Sequence, residues 1–196
     1  MSDLGNGTQM SERVSDTDNL PSSEIHRSAS APAGVKRFQI YLKRDDGDKQ
    51  SVRPELRETS DVAKSGMQRI FQAGASDGHE VREIIDIPGF NLTRAWFKTG
   101  FPLPLHAHEA DCLYYIAAGD LKLGTETLGA GDSFFVPGGT PYKFVPGENG
   151  VEIVEFRHSG AHDIKILAPR QTYWDAALEK VTALRSIWKS ALRPTG

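Results

Sequence analysis

Residues 100–119 read GFPLPLHAHEADCLYYIAAG, and a short way on residues 131–142 read GDSFFVPGGTPY. His106 and His108 stand two apart. Side chains two apart on an extended chain share a face, so both imidazoles point the same way if this run is a strand. Cys112 lies at a further even offset. Gly119 and Gly131 each precede an aspartate, and a tight G-D hairpin uses a positive φ that only glycine adopts cheaply. Pro137, Gly138 and Gly139 predict a sharp turn as the chain leaves a strand.

Strand-like runs surround this stretch. In 35–43, Phe38, Ile40 and Leu42 alternate with polar residues. Further runs occupy 67–72, 81–87, 92–99, 103–108, 112–117, 120–123, 127–128, 133–136, 142–145, 151–157 and 164–167. Turn signals separate them at Pro88–Gly89, Gly119–Asp120, 129–131, 137–139 and 146–150. Many short strands at this spacing predict an all-β sandwich or barrel rather than alternating βαβ units. Residues 44–66 are charged and broken by Gly and Pro, which suits a long loop or a short irregular helix.

The two ends differ from this middle. Residues 1–34 are rich in Ser, Asp, Asn, Gly and Pro and cannot bury enough apolar surface to offset their ordering entropy, so they are expected to form a disordered arm, with Leu20 and Ile25 as possible anchor points. In 173–192, Trp174, Leu178, Val181, Leu184 and Trp188 recur at spacings of three and four, the apolar face of a helix that covers the open side of the barrel or a neighbouring subunit. Thr172 with Asp175 resembles a capping box. The expected division is an arm at 1–34, a barrel at 35–170 and a helix at 171–196.

The balance of 38% hydrophobic and 25% charged residues, with a formal net charge of −3, is that of an ordinary folded domain and argues against a nucleic-acid surface. A single cysteine, Cys112, excludes a disulfide-stapled scaffold. The first residues have neither the basic start nor the apolar run of a signal peptide, and no apolar stretch reaches the ~18 residues of a membrane span. A cytoplasmic protein without membrane partners is expected.

The stretch 100–142 resembles the cupin superfamily. The first cupin motif is G-x5-H-x-H-x3-E-x6-G, and Gly100, His106, His108 and Gly119 match it. The second is G-x5-P-x-G-x2-H, matched by Gly131, Pro137 and Gly139. Cys112 occupies the glutamate position and Tyr142 the last histidine position, so two of the four usual metal ligands remain. The resemblance implies a jelly-roll antiparallel β-barrel with the two imidazoles inside it, a small-molecule ligand and a homodimer.

Two imidazoles side by side in a buried pocket repel if both are protonated, and a divalent cation on neutral nitrogens relieves this. The resemblance and the His pair point to Fe2+, Mn2+, Ni2+ or Zn2+ on His106 and His108. Cys112 is a candidate third ligand as a thiolate, or else a small buried apolar residue. Tyr142 is a candidate catalytic residue that hydrogen-bonds ligand or water. Glu109 and Asp111 on the following turn offer carboxylates or simply face solvent, and His158 reads as a surface residue. Glu155 and Arg157 share a face with Ile153: on the interior, Arg157 can clamp a substrate carboxylate, and on the exterior both are surface charges. Phe101, Tyr114, Phe135 and Phe144 read as core or pocket wall. The expected function is a metal-dependent oxygenase, lyase or isomerase, with a metal-free ligand-binding or regulatory protein as the alternative.

Overall fold

The computed structural model describes residues 40–42, 54–158 and 162–194. Contacts divide the chain into residues 1–42 and 43–196. The expected arm at 1–34 lies outside the described residues. Of the expected strand at 35–43, only residues 40–42 are described, and they belong to no strand.

In the second unit the elements run β1 (Glu55–Arg57), α1 (Asp61–Gln72), a 3-10 turn (Ala75–Gly78), β2 (His79–Ile87), β3 (Phe90–Phe97), β4 (His106–Ala107), β5 (Cys112–Leu123), β6 (Glu126–Gly129), β7 (Ser133–Val136), β8 (Phe144–Arg157), β9 (Asp163–Ile166) and α2 (Gln171–Ser190). The large sheet has the order β2-β3-β8-β5-β6, and β7 also pairs with β5. The small sheet has the order β1-β9-β4. Among the described residues the two ladders do not merge into one closed sheet. All pairings are antiparallel except β1 with β9, a departure from the wholly antiparallel barrel expected. The architecture is a mostly β jelly roll with a C-terminal helix.

Register in the large sheet determines what faces inward. Asn91, Arg157, Cys112 and Val136 form one cross-strand row, and Thr93, Glu155, Tyr114 and Phe134 form the next. Alternation puts these rows on the buried face, followed by Ala95, Ile153 and Ile116. Glu155 and Arg157 therefore face the interior. Phe135 lies on the opposite face of β7 and is exposed, not core or pocket wall, because its neighbour Val136 takes the inward position.

Several local expectations change. Residues 67–72 are the second half of α1, not a strand. Ser60 caps that helix, its Oγ accepting from Ala63 N at 3.3 Å, and Ala63, Gly66 and Ile70 form its buried face. Gly66 lets α1 approach α2 closely, since a Cβ there would sit 2.1 Å from Trp174 Cδ2. The strand expected at 103–108 shrinks to His106–Ala107, because Pro102 and Pro104 withhold ladder donors just before it. The runs 112–117 and 120–123 are one strand. Gly119, with φ of 71°, serves a bulge rather than a hairpin, and pairing continues past it with shifted register. Likewise β8 runs through 146–150 without a turn.

Helix α2 starts one residue after Arg170, which makes no side-chain cap, so the Thr172–Asp175 capping box does not form. Asp175 instead accepts from Arg69 Nη1 at 2.8 Å and from Gln171 Nε2 at 3.0 Å. Trp174, Val181 and Trp188 are fully buried, as their spacing predicts. Two of their indole N–H groups tie the helix to loops, Trp174 donating to Ala168 O and Trp188 to Thr99 O, each at 2.8 Å. One core cluster joins α1, α2 and β9, and a second fills the large sheet. Among the described residues no helix is long and apolar enough to cross a membrane.

Candidate active site

The segment 100–108 enters the site through the two prolines and is fastened at His106. His106 N donates to Tyr142 O at 3.1 Å, and Tyr142 N returns the bond to His106 O at 2.9 Å. This two-bond bridge brings the second motif's last position beside the first motif's first histidine. The His106 ring centroid lies 4.4 Å from that of Tyr142 and 5.2 Å from that of His108. All three side chains are buried and line one cavity.

Backbone carbonyls orient both imidazoles. His106 Nδ1 lies 2.9 Å from Pro104 O, and His108 Nδ1 bonds Asp163 O. A carbonyl can only accept, so each ring carries its proton on Nδ1 and keeps a lone pair on Nε2. Asp163 is itself fixed, its Oδ2 accepting from Glu109 N at 3.0 Å. Burial lowers the His106 pKa to about 4, despite the Pro104 bond that works the other way, and burial lowers that of His108 as well. Both rings are neutral at ordinary pH.

Glu155 meets this pair from β8. Its Oε1 lies 4.0 Å from His108 Nε2, accepts from Tyr114 Oη at 2.6 Å and accepts from Arg157 Nη2 at 2.5 Å. Burial by itself would raise the Glu155 carboxyl, but Arg157, His108 and the Tyr114 hydroxyl outweigh it and hold the group below the usual carboxylate range. The phenols of Tyr114 and Tyr142 are hydrogen-bonded to each other. Burial, and then the Glu155 charge, raises both phenols well above their ordinary value, so both stay protonated. A chain of hydroxyls thus runs from Tyr142 through Tyr114 to Glu155.

The other expected residues fall in different places. Cys112 is buried and its Sγ lies within 4.8 Å of ligand atoms of His108 and Glu155. It faces Ala110 O at 3.4 Å, is not among the cavity-lining residues, and burial pushes its thiol up to about 12. Arg157 is fully buried behind Glu155 and does not line the cavity. Glu109 and Asp111 are exposed, the first near Arg57 at 3.6 Å and the second accepting from Gly138 N at 2.8 Å. His158 is exposed and stands edge-on to Phe90.

Sequence reasoning did not single out His162. It lines the same cavity, its ring lies 6.3 Å from that of His108, and its buried Nδ1 has no partner among the described residues. Burial lowers its pKa to about 4. It belongs to neither motif and arrives through the fold, just before β9. The only local cue is a histidine next to a strand-like run.

No protein-family model matches the chain, and no curated protein matches it. Among solved structures, the chain is similar to KdgF from Halomonas sp. at 18% identity, covering 62% of this chain and 94% of that one with a TM-score of 0.43. It is also similar to the polyketide cyclase RemF from Streptomyces resistomycificus at 18% identity, covering 76% and 96% with a TM-score of 0.48. An RmlC-like cupin from Shewanella frigidimarina shares 23% identity, covering 41% and 76% with a TM-score of 0.37. The strand order, the two motif segments meeting at the His106–Tyr142 bridge and the imidazoles turned into the hollow together give this chain a cupin fold.

Proposed function

We propose that the chain is a small-molecule enzyme of the cupin type whose divalent cation is held by His106 Nε2, His108 Nε2 and the Glu155 carboxylate. The observation that carries the reading is the pair of Nδ1–carbonyl bonds, which leaves an Nε2 lone pair on each ring, that of His108 4.0 Å from the ionised Glu155 carboxylate. His106 stands outside the 4.8 Å group of His108, Cys112 and Glu155 and reaches the same cation through its ring beside His108. Imidazole ligands are commonly oriented in this way by a bond from the other ring nitrogen. Two neutral imidazoles and one carboxylate form a donor set that suits Fe2+, Mn2+, Ni2+ or Zn2+. Glu155 fits better than Cys112, because the carboxylate is already ionised whereas the thiol must first lose a proton it holds up to about pH 12. The carboxylate that the first motif places on β5 is thus supplied here from the neighbouring strand β8.

When bound, the cation supplies Lewis-acid polarisation of a substrate oxygen or a site for dioxygen. The chain's own residues do the rest. Tyr142 Oη, protonated and at the head of the hydroxyl chain, gives its proton to Tyr114 and accepts a hydrogen bond from a hydroxyl of the ligand. Tyr114 passes that polarisation to Glu155, and Arg157 keeps Glu155 charged from behind. Arg157 is a positioning residue in this reading. A substrate-carboxylate clamp would need it to reach the cavity.

One observation favours a second reading, a metal-free ligand-binding cupin. Glu155 already has a cationic partner in Arg157 and a donor in Tyr114, so the site is charge-balanced without a further cation. Metal analysis of the full chain purified without chelator separates the two. About one equivalent of metal, lost in a His106→Ala/His108→Ala variant that keeps its circular dichroism, supports the enzyme. Metal-free protein that takes up no Fe2+, Mn2+, Ni2+ or Zn2+ on dialysis overturns it.

A further inference from the structure

We infer that the cavity takes a bulky, largely hydrocarbon ligand whose oxygen function is gathered at one end and enters first. The inference names the ligand class of the site just proposed, and it rests on that cavity being where the substrate binds. The cavity volume is about 770 Å³, within the range that encloses a drug-sized molecule. Such a space far exceeds what a small diacid or a single sugar ring fills.

Most of its polar groups are gathered. His106, His108, Tyr114, Tyr142 and Glu155 form one cluster, with His162 close by, while Ser76, His79 and Glu80 line the cavity from the 3-10 turn and β2. The body of the cavity is hydrocarbon from three sources: α1 contributes Met67 and Ile70, the large sheet Ala95 and Ile153, and β9 Ile164 and Ile166. Phe97, Phe101 and Phe144 pack edge-on and tilted against one another, with centroids 5.4 and 5.5 Å apart, and form an aromatic wall. Leu56 and Phe71 line the cavity and are also 42% and 48% exposed, which places an apolar rim where it meets solvent. Large exposed apolar groups on a cavity rim mark a binding entrance.

Charge points the same way. Among the described residues no lysine or arginine lines the cavity. Its two carboxylates, Glu80 and Glu155, are already paired with arginines, Glu80 with Arg82 and Arg193 and Glu155 with Arg157. His79, on the aromatic wall, has its Nδ1 at Ala75 O and its ring among Phe71, Phe97 and Phe101. A ligand body carrying charge or many hydroxyls would lose its hydration against these walls, where outside the cluster only Ser76, His79 and Glu80 among the described lining residues offer polar side-chain atoms. A hydrocarbon body loses nothing there and gains burial.

The test uses 1-pyrenemethanol, a flat hydrocarbon with one terminal hydroxyl, whose emission reports the polarity around it. It is titrated into the full chain, both as purified and after chelation, with malonate and glucuronate as competitors. The expected result is saturable binding with an apolar emission shift, no displacement by either competitor at millimolar concentration, and a fall in affinity of about tenfold or more in Met67→Glu. Ile164→Lys is the second variant, and circular dichroism confirms the fold of each. Absence of saturable binding to the wild-type chain, or displacement by malonate or glucuronate, overturns the inference. So does unchanged affinity in the folded variants. Probe binding by a chain that takes up no Fe2+, Mn2+, Ni2+ or Zn2+ on dialysis sinks the metal reading and leaves this one standing, whereas a metal-loaded chain that ignores the probe does the reverse.

Discussion

Arg157 Nη2 donates to Glu155 Oε1 at 2.5 Å, two residues along one strand, with both side chains turned inside the sheet. The pair is almost wholly out of solvent. The attraction offsets desolvation only while both members are present. Replacing Arg157 with Met leaves a buried, uncompensated carboxylate, and the expected loss of stability is about 3 kcal/mol or more. The Glu155→Gln/Arg157→Met double variant removes both charges and is expected to be more stable than Arg157→Met alone. Urea unfolding of the set measures this, and a double variant at least as unstable as Arg157→Met would show that the pair is not what fixes Glu155.

Glu155 and Cys112 make opposite predictions as third ligands. Losing an outer partner of a metal ligand costs about 10–100-fold in metal affinity, so losing an inner carboxylate costs at least as much. Glu155→Gln is therefore expected to lose metal on dialysis under conditions where Cys112→Ser retains it. Metal content after dialysis against a weak chelator is the measurement. Retention in Glu155→Gln with loss in Cys112→Ser would move the ligand to the thiol on β5.

What the sequence shows of this site depends on how local each relationship is. His106 and His108 are legible because their shared face needs only the two-residue period of one strand. Glu155 and Arg157 are legible as a same-face pair, but whether that face is interior depends on β3 and β5 flanking β8, which one strand's pattern cannot say. Tyr114 read as wall because its contact with Glu155 is a cross-strand register, 41 residues apart in the chain. His162 depends on β9 returning beside β4. The helix α1 was hidden by the short apolar run at 67–72, which periodicity alone cannot separate from a strand. The strand breaks expected at Gly119 and 146–150 failed because a glycine with positive φ serves a bulge as readily as a hairpin.

Buried neutral histidines set a pH limit on the metal-free protein. The unfolded chain protonates His106 near pH 6.5, whereas the folded chain resists until about pH 4. The unfolded state therefore binds more protons across that interval, and stability falls as pH drops through it. Stability from this source is complete above pH 6.5 and lost toward pH 4, on the order of 3 kcal/mol for His106 alone. His162, lowered to about 4 as well, steepens the fall. Denaturant unfolding of chelated protein from pH 7 downward checks the slope, which His106→Asn is expected to flatten. An identical slope in that variant would remove His106 as its source.

The contact between α1 and α2 predicts a reversal of an ordinary helix rule. In a helix interior, Gly to Ala normally gains about 1 kcal/mol by restricting the unfolded chain and improving propensity. At Gly66 the added Cβ would lie 2.1 Å from Trp174 Cδ2, and Trp174 cannot retreat, since it is fully buried with its indole N–H bonded to Ala168 O. Overpacking of this kind costs about 1–3 kcal/mol, so Gly66→Ala is expected to destabilise rather than stabilise. The reason can be isolated by a cycle with Trp174→Leu. That change is itself destabilising, because it empties part of the core and orphans the Ala168 carbonyl, but it clears the space above Gly66. In the Trp174→Leu background Gly66→Ala is expected to become neutral or stabilising, as thermal unfolding of the four proteins would show. A loss of the same size in both backgrounds would mean that the helices are not held apart by this ring, and that Gly66 is needed for its backbone alone.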